Sequence, residues 1–217
     1  MQHPPATIKR MWQSSFMLSA LILVVSLVYS LLYYGSWALL SLNQAVGVTA
    51  ALMIGISYAM SGMAYYFDFL DEKVAYRKYY GLVGLLFAFA YAYGLFFLDP
   101  DRYFYGFFSN LGSADFILGI LAMIILAGMV VISTPQGIRA IGAQNWRLGL
   151  RAGYLASALF VARAVVVWGG EWKTWVHQGY WFFPPSMLVA TVFTVVVILF
   201  RGSIFVAREL RKASKST

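Results

Sequence analysis

Polar and apolar positions in this chain come in blocks rather than in the short alternations of a water-soluble domain. Apolar runs cover residues 16–40, 45–67, 79–98, 114–133, 150–169 and 184–205, each near the roughly 20 residues that carry a helix across the hydrocarbon layer. Strands of a membrane barrel would alternate apolar and polar side chains, and these runs do not. The pattern predicts an all-α integral membrane protein: a six-transmembrane-helix bundle over residues 16–205, an N-terminal tail at 1–15 and a basic C-terminal tail at 206–217. The first run is too long for a signal-peptide core and no small-residue cleavage site follows it, so it reads as a retained helix.

The polar intervals give the bundle a direction. Thirteen of the sixteen Lys and Arg residues fall on one side: Lys9 and Arg10, then Lys73, Arg77 and Lys78, then Arg139, Arg147 and Arg151, and finally Arg201, Arg208, Arg211, Lys212 and Lys215. Arg102 and Lys173 fall on the other, and Arg163 lies inside a span. The positive-inside bias makes this an N-in, C-in topology in a cell inner (cytoplasmic) membrane. It also accounts for the net charge of +8 without nucleic acid as a partner. Trp12 and Trp146 mark the inner interface, and Trp37, Trp168, Trp172, Trp175 and Trp181 the outer one. Residues 171–183, with Trp172, Trp175, Tyr180, Trp181, Phe182 and Phe183, are expected to lie along the interface. Pro184 and Pro185 are expected in the first turn of the last helix. Ser113 and Asp115 read as an N-cap and a favourable first-turn charge for the fourth span.

Small residues recur at four-residue spacing at Gly47, Ala51, Gly55 and Ala59, at Gly84, Ala88 and Ala92, and at Gly149, Gly153 and Ser157. Such stripes let helices approach closely, within this bundle or against a partner helix.

Composition removes several chemistries. There is no cysteine, hence no thiolate metal site, iron–sulfur cluster or cysteine nucleophile. The two histidines are His3 in the tail and His177 in the last outer segment, so no pair of spans offers facing imidazoles for a haem. His177 reads as interfacial. No lysine sits mid-span for a retinal Schiff base. The carboxylates Asp68, Asp71, Glu72, Asp99, Asp101, Asp115, Glu171 and Glu209 fall in loops, at helix ends or in the tail, so no buried carboxylate relay is expected.

Arg163 is the one charge inside a span, which makes it a functional candidate. The simpler expectation is that it snorkels to Asp99, Asp101 or Glu171, or bonds tyrosine hydroxyls and carbonyls within the bundle.

The stretch Arg77-Lys78-Tyr79-Tyr80-Gly81-Leu82 opening the third span, residues 118–134 ending in Ser133-Thr134, and residues 146–168 with Trp146, Arg151 and Tyr154 together resemble the ferric reductase-like transmembrane family. That family includes the haem-bearing membrane subunit of the bacterial methionine sulfoxide reductase system. The resemblance spans about residues 35–168 and implies six helices with haem b held by histidines between the third and fifth spans. By that register the ligand positions fall on Tyr91, Leu150 and Arg163, none of them histidine. A pocket without its haem would leave a cavity costing about 24 cal/mol per Å³. Tyr91, Tyr93, Phe87, Phe89, Phe160 and the Arg163 stem are expected to fill it, the alternative being a lipid, quinone or pigment.

The resulting expectation is a haem-free accessory or scaffolding subunit of a larger membrane complex, contacting the lipid bilayer and integral membrane partner subunits, with enzymatic activity left open. Two alternatives differ in class. One is a small transporter or channel for an anion or apolar solute using Arg163. The other is a residual oxidoreductase using flavin, quinone or an unusually ligated haem.

Overall fold

The computed structural model describes residues 5–35, 38–67, 73–179 and 183–213. His3, Trp37, Asp68, Asp71, Glu72, Tyr180, Trp181, Phe182 and Lys215 lie outside them, as do the side chains of Arg147, Leu150, Arg208, Glu209, Arg211 and Lys212. The helices are α1 (Pro5–Tyr34), α2 (Leu39–Tyr66), α3 (Tyr76–Leu98), the four-residue α4 (Phe107–Asn110), α5 (Ala114–Ile132), α6 (Pro135–His177) and α7 (Ser186–Ala213). A single π-helical turn, Asp101–Tyr105, precedes α4. All except α4 contain a stretch long and apolar enough to cross a membrane, giving six candidate spans among the described residues. The chain is therefore an all-helical, multi-pass bundle suited to a lipid bilayer.

The start of α1, the end of α7 and the α2–α3 and α5–α6 connections share one end of the bundle, called here the terminal end. The opposite, distal end carries the α1–α2 turn, the 99–113 connection and the α6–α7 connection.

Helix boundaries differ from the hydropathy blocks in instructive places. The first span stops at Tyr34, because Gly35 turns the chain with φ +69°, a conformation that glycine adopts without strain. Leu39 and Leu40 belong to α2, and so do the polar residues Ser41, Asn43 and Gln44 that separated two apolar blocks in the sequence. All three are buried, Gln44 to 1% exposure. α1 continues back to Pro5 and α7 on to Ala213. Residues 171–177 continue α6 as helix. The 34 residues from Gln144 to His177 measure about 51 Å at 1.5 Å per residue, well beyond the hydrocarbon thickness of about 30 Å. Pro184 and Pro185 precede α7, and the Pro185 carbonyl accepts hydrogen bonds from Leu188 and Val189 N–H.

α2 is the central helix, packed along α3 and also against α1 and α7, while α5 and α6 form a separate antiparallel hairpin that meets α7. α3 and α5 scarcely touch. The glycine stripes are used inside this bundle. A methyl group on Gly47 would meet Met187 and Tyr91 at 2.8 Å, and one on Gly84 would meet Ile54 at 2.8 Å. One on Gly153 would collide with the Tyr58 hydroxyl. α1 turns Ser15, Ser19, Ser26 and Ser30 inward and Phe16, Leu21, Val25 and Leu32 outward. That inversion of the soluble pattern suits a helix bathed in hydrocarbon and packed through small residues.

The Ser133-Thr134 pair makes the α5–α6 turn. Ser133 Oγ donates to the Met129 carbonyl (2.6 Å), and Thr134 Oγ1 accepts from Gly137 N–H (3.0 Å) as the N-cap of α6. Gly142, at φ +76°, kinks α6 before its membrane-crossing part.

Candidate functional site

A cavity of about 320 Å³ lies within the bundle, bordered by α2, α3, α5, α6 and α7. Its walls are apolar along most of their length, formed by residues such as Ala51, Ile54, Ala88, Ile120, Phe160 and Met187. Small residues on α2 and α3 and the sparse contact between α3 and α5 leave this space open. Ile124 of α5 lines the cavity and is also 61% exposed, so the cavity reaches the outer surface of the bundle on that flank.

One end of the cavity is polar. Asp115, in the first turn of α5, is only 3% exposed. Its Oδ2 is paired with Arg102 Nη2 at 2.8 Å, and its Oδ1 lies 2.8 Å from the Ser113 hydroxyl. Arg163, projecting from α6, donates from Nε to the main-chain carbonyl of the same Asp115 at 3.2 Å. Its guanidinium carbon lies 5.9 Å from the centre of the Tyr91 ring. Gly119, one turn along α5, leaves room for this arm, since a methyl group there would sit 3.0 Å from Arg163 Nε.

The π-helical turn lays Tyr103 flat against Phe116, with ring centres 5.0 Å apart and planes 12° from parallel. The Arg102 guanidinium lies 5.6 Å from the centre of the Tyr103 ring. Burial holds the Tyr103 phenol above its ordinary titration range, opposed by the nearby positive charges of Arg163 and Arg102.

α5 has 19 residues, about 28 Å, close to the hydrocarbon thickness of about 30 Å, and Asp115 lies in its first turn. Arg163 stands at that level, while α6 runs another 14 residues, about 21 Å, to His177.

The structure thus brings two sequence candidates, Arg163 and Tyr91, together and separates the others. His177 is exposed at the end of α6. Arg151 is exposed toward the terminal end. Tyr154 packs against Tyr58 at 5.1 Å, in a cluster where Arg77 lies 6.0 Å from the Tyr58 ring. The side chain of Leu150 lies outside the described set.

Three expectations are corrected. Arg163 does not snorkel to Asp99, Asp101 or Glu171: Asp99 Oδ1 accepts from Arg102 N–H and Glu171 Oε1 from the Tyr34 hydroxyl. It takes the other course in part, bonding a main-chain carbonyl within the bundle and lying over the Tyr91 ring. Asp115 is a buried carboxylate, where its position at a helix start had placed it near water. The aromatic filling of the pocket is partial. Tyr91 and Phe160 line the cavity, whereas Tyr93 (65% exposed) and Phe89 (46%) point out of the bundle.

Asp115, Arg102 and Tyr103 were missed as site residues. The available signal was that Arg102 is one of only two basic residues in the distal loops, with Asp115 thirteen positions later as an unclaimed counter-charge.

No model of a known protein family matches this chain, and no curated protein matches it. The haem implied by the ferric reductase-like resemblance can be tested against the donor set. Among the described residues no histidine lines the cavity, and the groups there with affinity for haem iron are the Tyr91 and Tyr103 phenols and the thioethers of Met123 and Met187. Tyr91 is engaged with Arg163. These residues do not fit a bis-histidine haem b.

Proposed function

We propose that this protein is a membrane-embedded binding subunit that seats a hydrophobic small molecule in the cavity between α3 and the α5–α6 hairpin. One observation carries the reading. The cavity is apolar along its length and polar at a single end, where Arg163 is held by the Asp115 carbonyl of α5 and lies over the Tyr91 ring. Ligand sites have this form, a mostly apolar volume with a few converging polar groups that fix orientation. Its volume is at the small end of their usual range of about 300–1,000 Å³.

Solvent extraction of the purified protein followed by mass spectrometry, with an absorption spectrum of the intact sample, tests the reading. A stoichiometric apolar molecule is expected, and it should be lost when Ala92→Phe fills the cavity. An empty extract from protein purified in mild detergent overturns the proposal. A Soret band with stoichiometric iron would instead favour an unusually ligated haem, and a flavin or quinone spectrum the oxidoreductase alternative. Anion flux in liposomes that disappears in Arg163→Leu would favour transport.

The same reading takes the terminal end as cytoplasmic, because Lys9, Arg10, Lys73, Lys78, Arg139 and Arg151 gather there. An inner membrane follows from that charge bias. The distal end then faces outward, and the site lies in the outer leaflet.

A role within a larger membrane assembly is favoured by a separate surface. Phe104, Tyr105 and Phe108 stand exposed together on the 99–113 connection. The glycine stripes give this role less support than the sequence alone implied, because they are occupied within the bundle. Co-purification of an integral membrane partner, lost in Phe108→Ser, is the expected result.

A further inference from the structure

Arg163 and Asp115 are the charged residues that line the polar end of the cavity, and the Arg163 guanidinium stays protonated at any working pH. The Asp115 carboxylate turns to Arg102 and Ser113, and the bond that Arg163 makes to this residue is to its main-chain carbonyl. Among the described residues, Arg102 with Asp115 is the one ion pair, and no carboxylate stands within ion-pair distance of Arg163. A guanidinium inside a bundle with no carboxylate in direct contact is costly, and an anion beside it lowers that cost.

The shape of the cavity narrows what the anion is. A small inorganic ion would leave the apolar walls unused, and a neutral apolar molecule would leave Arg163 uncompensated. A two-chain lipid would not fit whole within about 320 Å³. We propose, building on the binding reading above, that the ligand is a single-chain amphiphile with a carboxylate head. The head sits on Arg163 and the Tyr91 hydroxyl, and the chain runs along Ala88, Ile54 and Ile120. It enters sideways from the bilayer past Ile124, where α3 and α5 part.

The test uses the full-length protein in nanodiscs of neutral phosphatidylcholine at pH 8, with radiolabelled palmitic acid as probe and protein-free nanodiscs as background. Unlabelled palmitate should displace the probe at least about tenfold more effectively than hexadecanol, the scale expected of one charge-assisted bond to a carboxylate. Arg163→Gln should abolish that preference. Gly119→Val, which keeps the charge but pushes the Arg163 arm aside, should reduce it, so the proposal stands on a second variant if the first does not fold.

Equal displacement by palmitate and hexadecanol overturns the carboxylate assignment and leaves the cavity reading intact. Displacement by phosphatidylglycerol as strong as by palmitate overturns the single-chain assignment. No specific binding of either single-chain probe overturns the inference, and the extraction experiment then decides the binding reading on its own.

Discussion

Arg163 and Asp115 meet through the main chain rather than through their charges. The guanidinium Nε donates to the Asp115 carbonyl at 3.2 Å, while the carboxylate of the same residue turns to Arg102 at 2.8 Å. One residue of α5 therefore binds α6 through its backbone and the 99–113 connection through its side chain. This arrangement fixes the polar end of the cavity.

Removing either partner of the Arg102–Asp115 pair should destabilise the protein by about 1–2 kcal/mol, kept modest because the Arg102 side chain is 45% exposed. The double variant Arg102→Gln/Asp115→Asn should lose less than the sum of the single losses. Thermal unfolding in detergent checks this, and strict additivity would show that the pair does not act as a unit.

Gly153 admits the Tyr58 hydroxyl where α2 meets the α5–α6 hairpin. Gly153→Ala is expected to cost about 1–3 kcal/mol through overpacking. Tyr58→Phe in the same chain should recover part of the loss by removing the colliding oxygen. The recovery is partial because Met129 also crowds the position, 2.8 Å from the added methyl group.

Tyr103 titrates late. Burial raises its pKa above the ordinary tyrosine value of about 10, so between the two values the unfolded chain ionises and the native chain does not. Its contribution to stability is fully present below about pH 10 and declines as pH rises through the native value. Difference absorption between the natural protein and Tyr103→Phe should show a phenolate signal emerging above pH 10. A signal emerging below that would contradict the burial seen here.

Sidedness is open to direct measurement because the chain has no cysteine. Ser109 is exposed at the distal end and Gln136 at the terminal end. In intact cells a membrane-impermeant maleimide should label Ser109→Cys, and should reach Gln136→Cys only after permeabilisation. The opposite result would reverse the topology.

The six spans were legible because burying backbone in hydrocarbon demands long apolar helices, a signal that needs no tertiary information. Helix ends were less legible for the same reason. Ser41, Asn43 and Gln44 look like a loop by polarity, yet α2 buries them against neighbours that the sequence does not show. Residues 171–177 look interfacial by their tryptophans, yet continue a helix that outruns the bilayer. Arg163 declared itself as an isolated charge and Tyr91 through the resemblance to a known register. Asp115 did not, because its burial depends on a stacked Tyr103 and an arginine brought back by one π-helical turn. The outward rotation of Phe89 and Tyr93 was equally hidden, since aromatic content is the same whichever way a helix turns.

The sparse contact between α3 and α5 divides the bundle into two bodies. Helices α1, α2, α3 and α7 gather around α2, whereas the α5–α6 hairpin meets that group through α7, through Tyr58 against Gly153 and Tyr154, and through Arg163 over Tyr91. The hairpin and the α2–α3 pair therefore stand as the two jaws of a vice, with the ion pair at the far end as its pin.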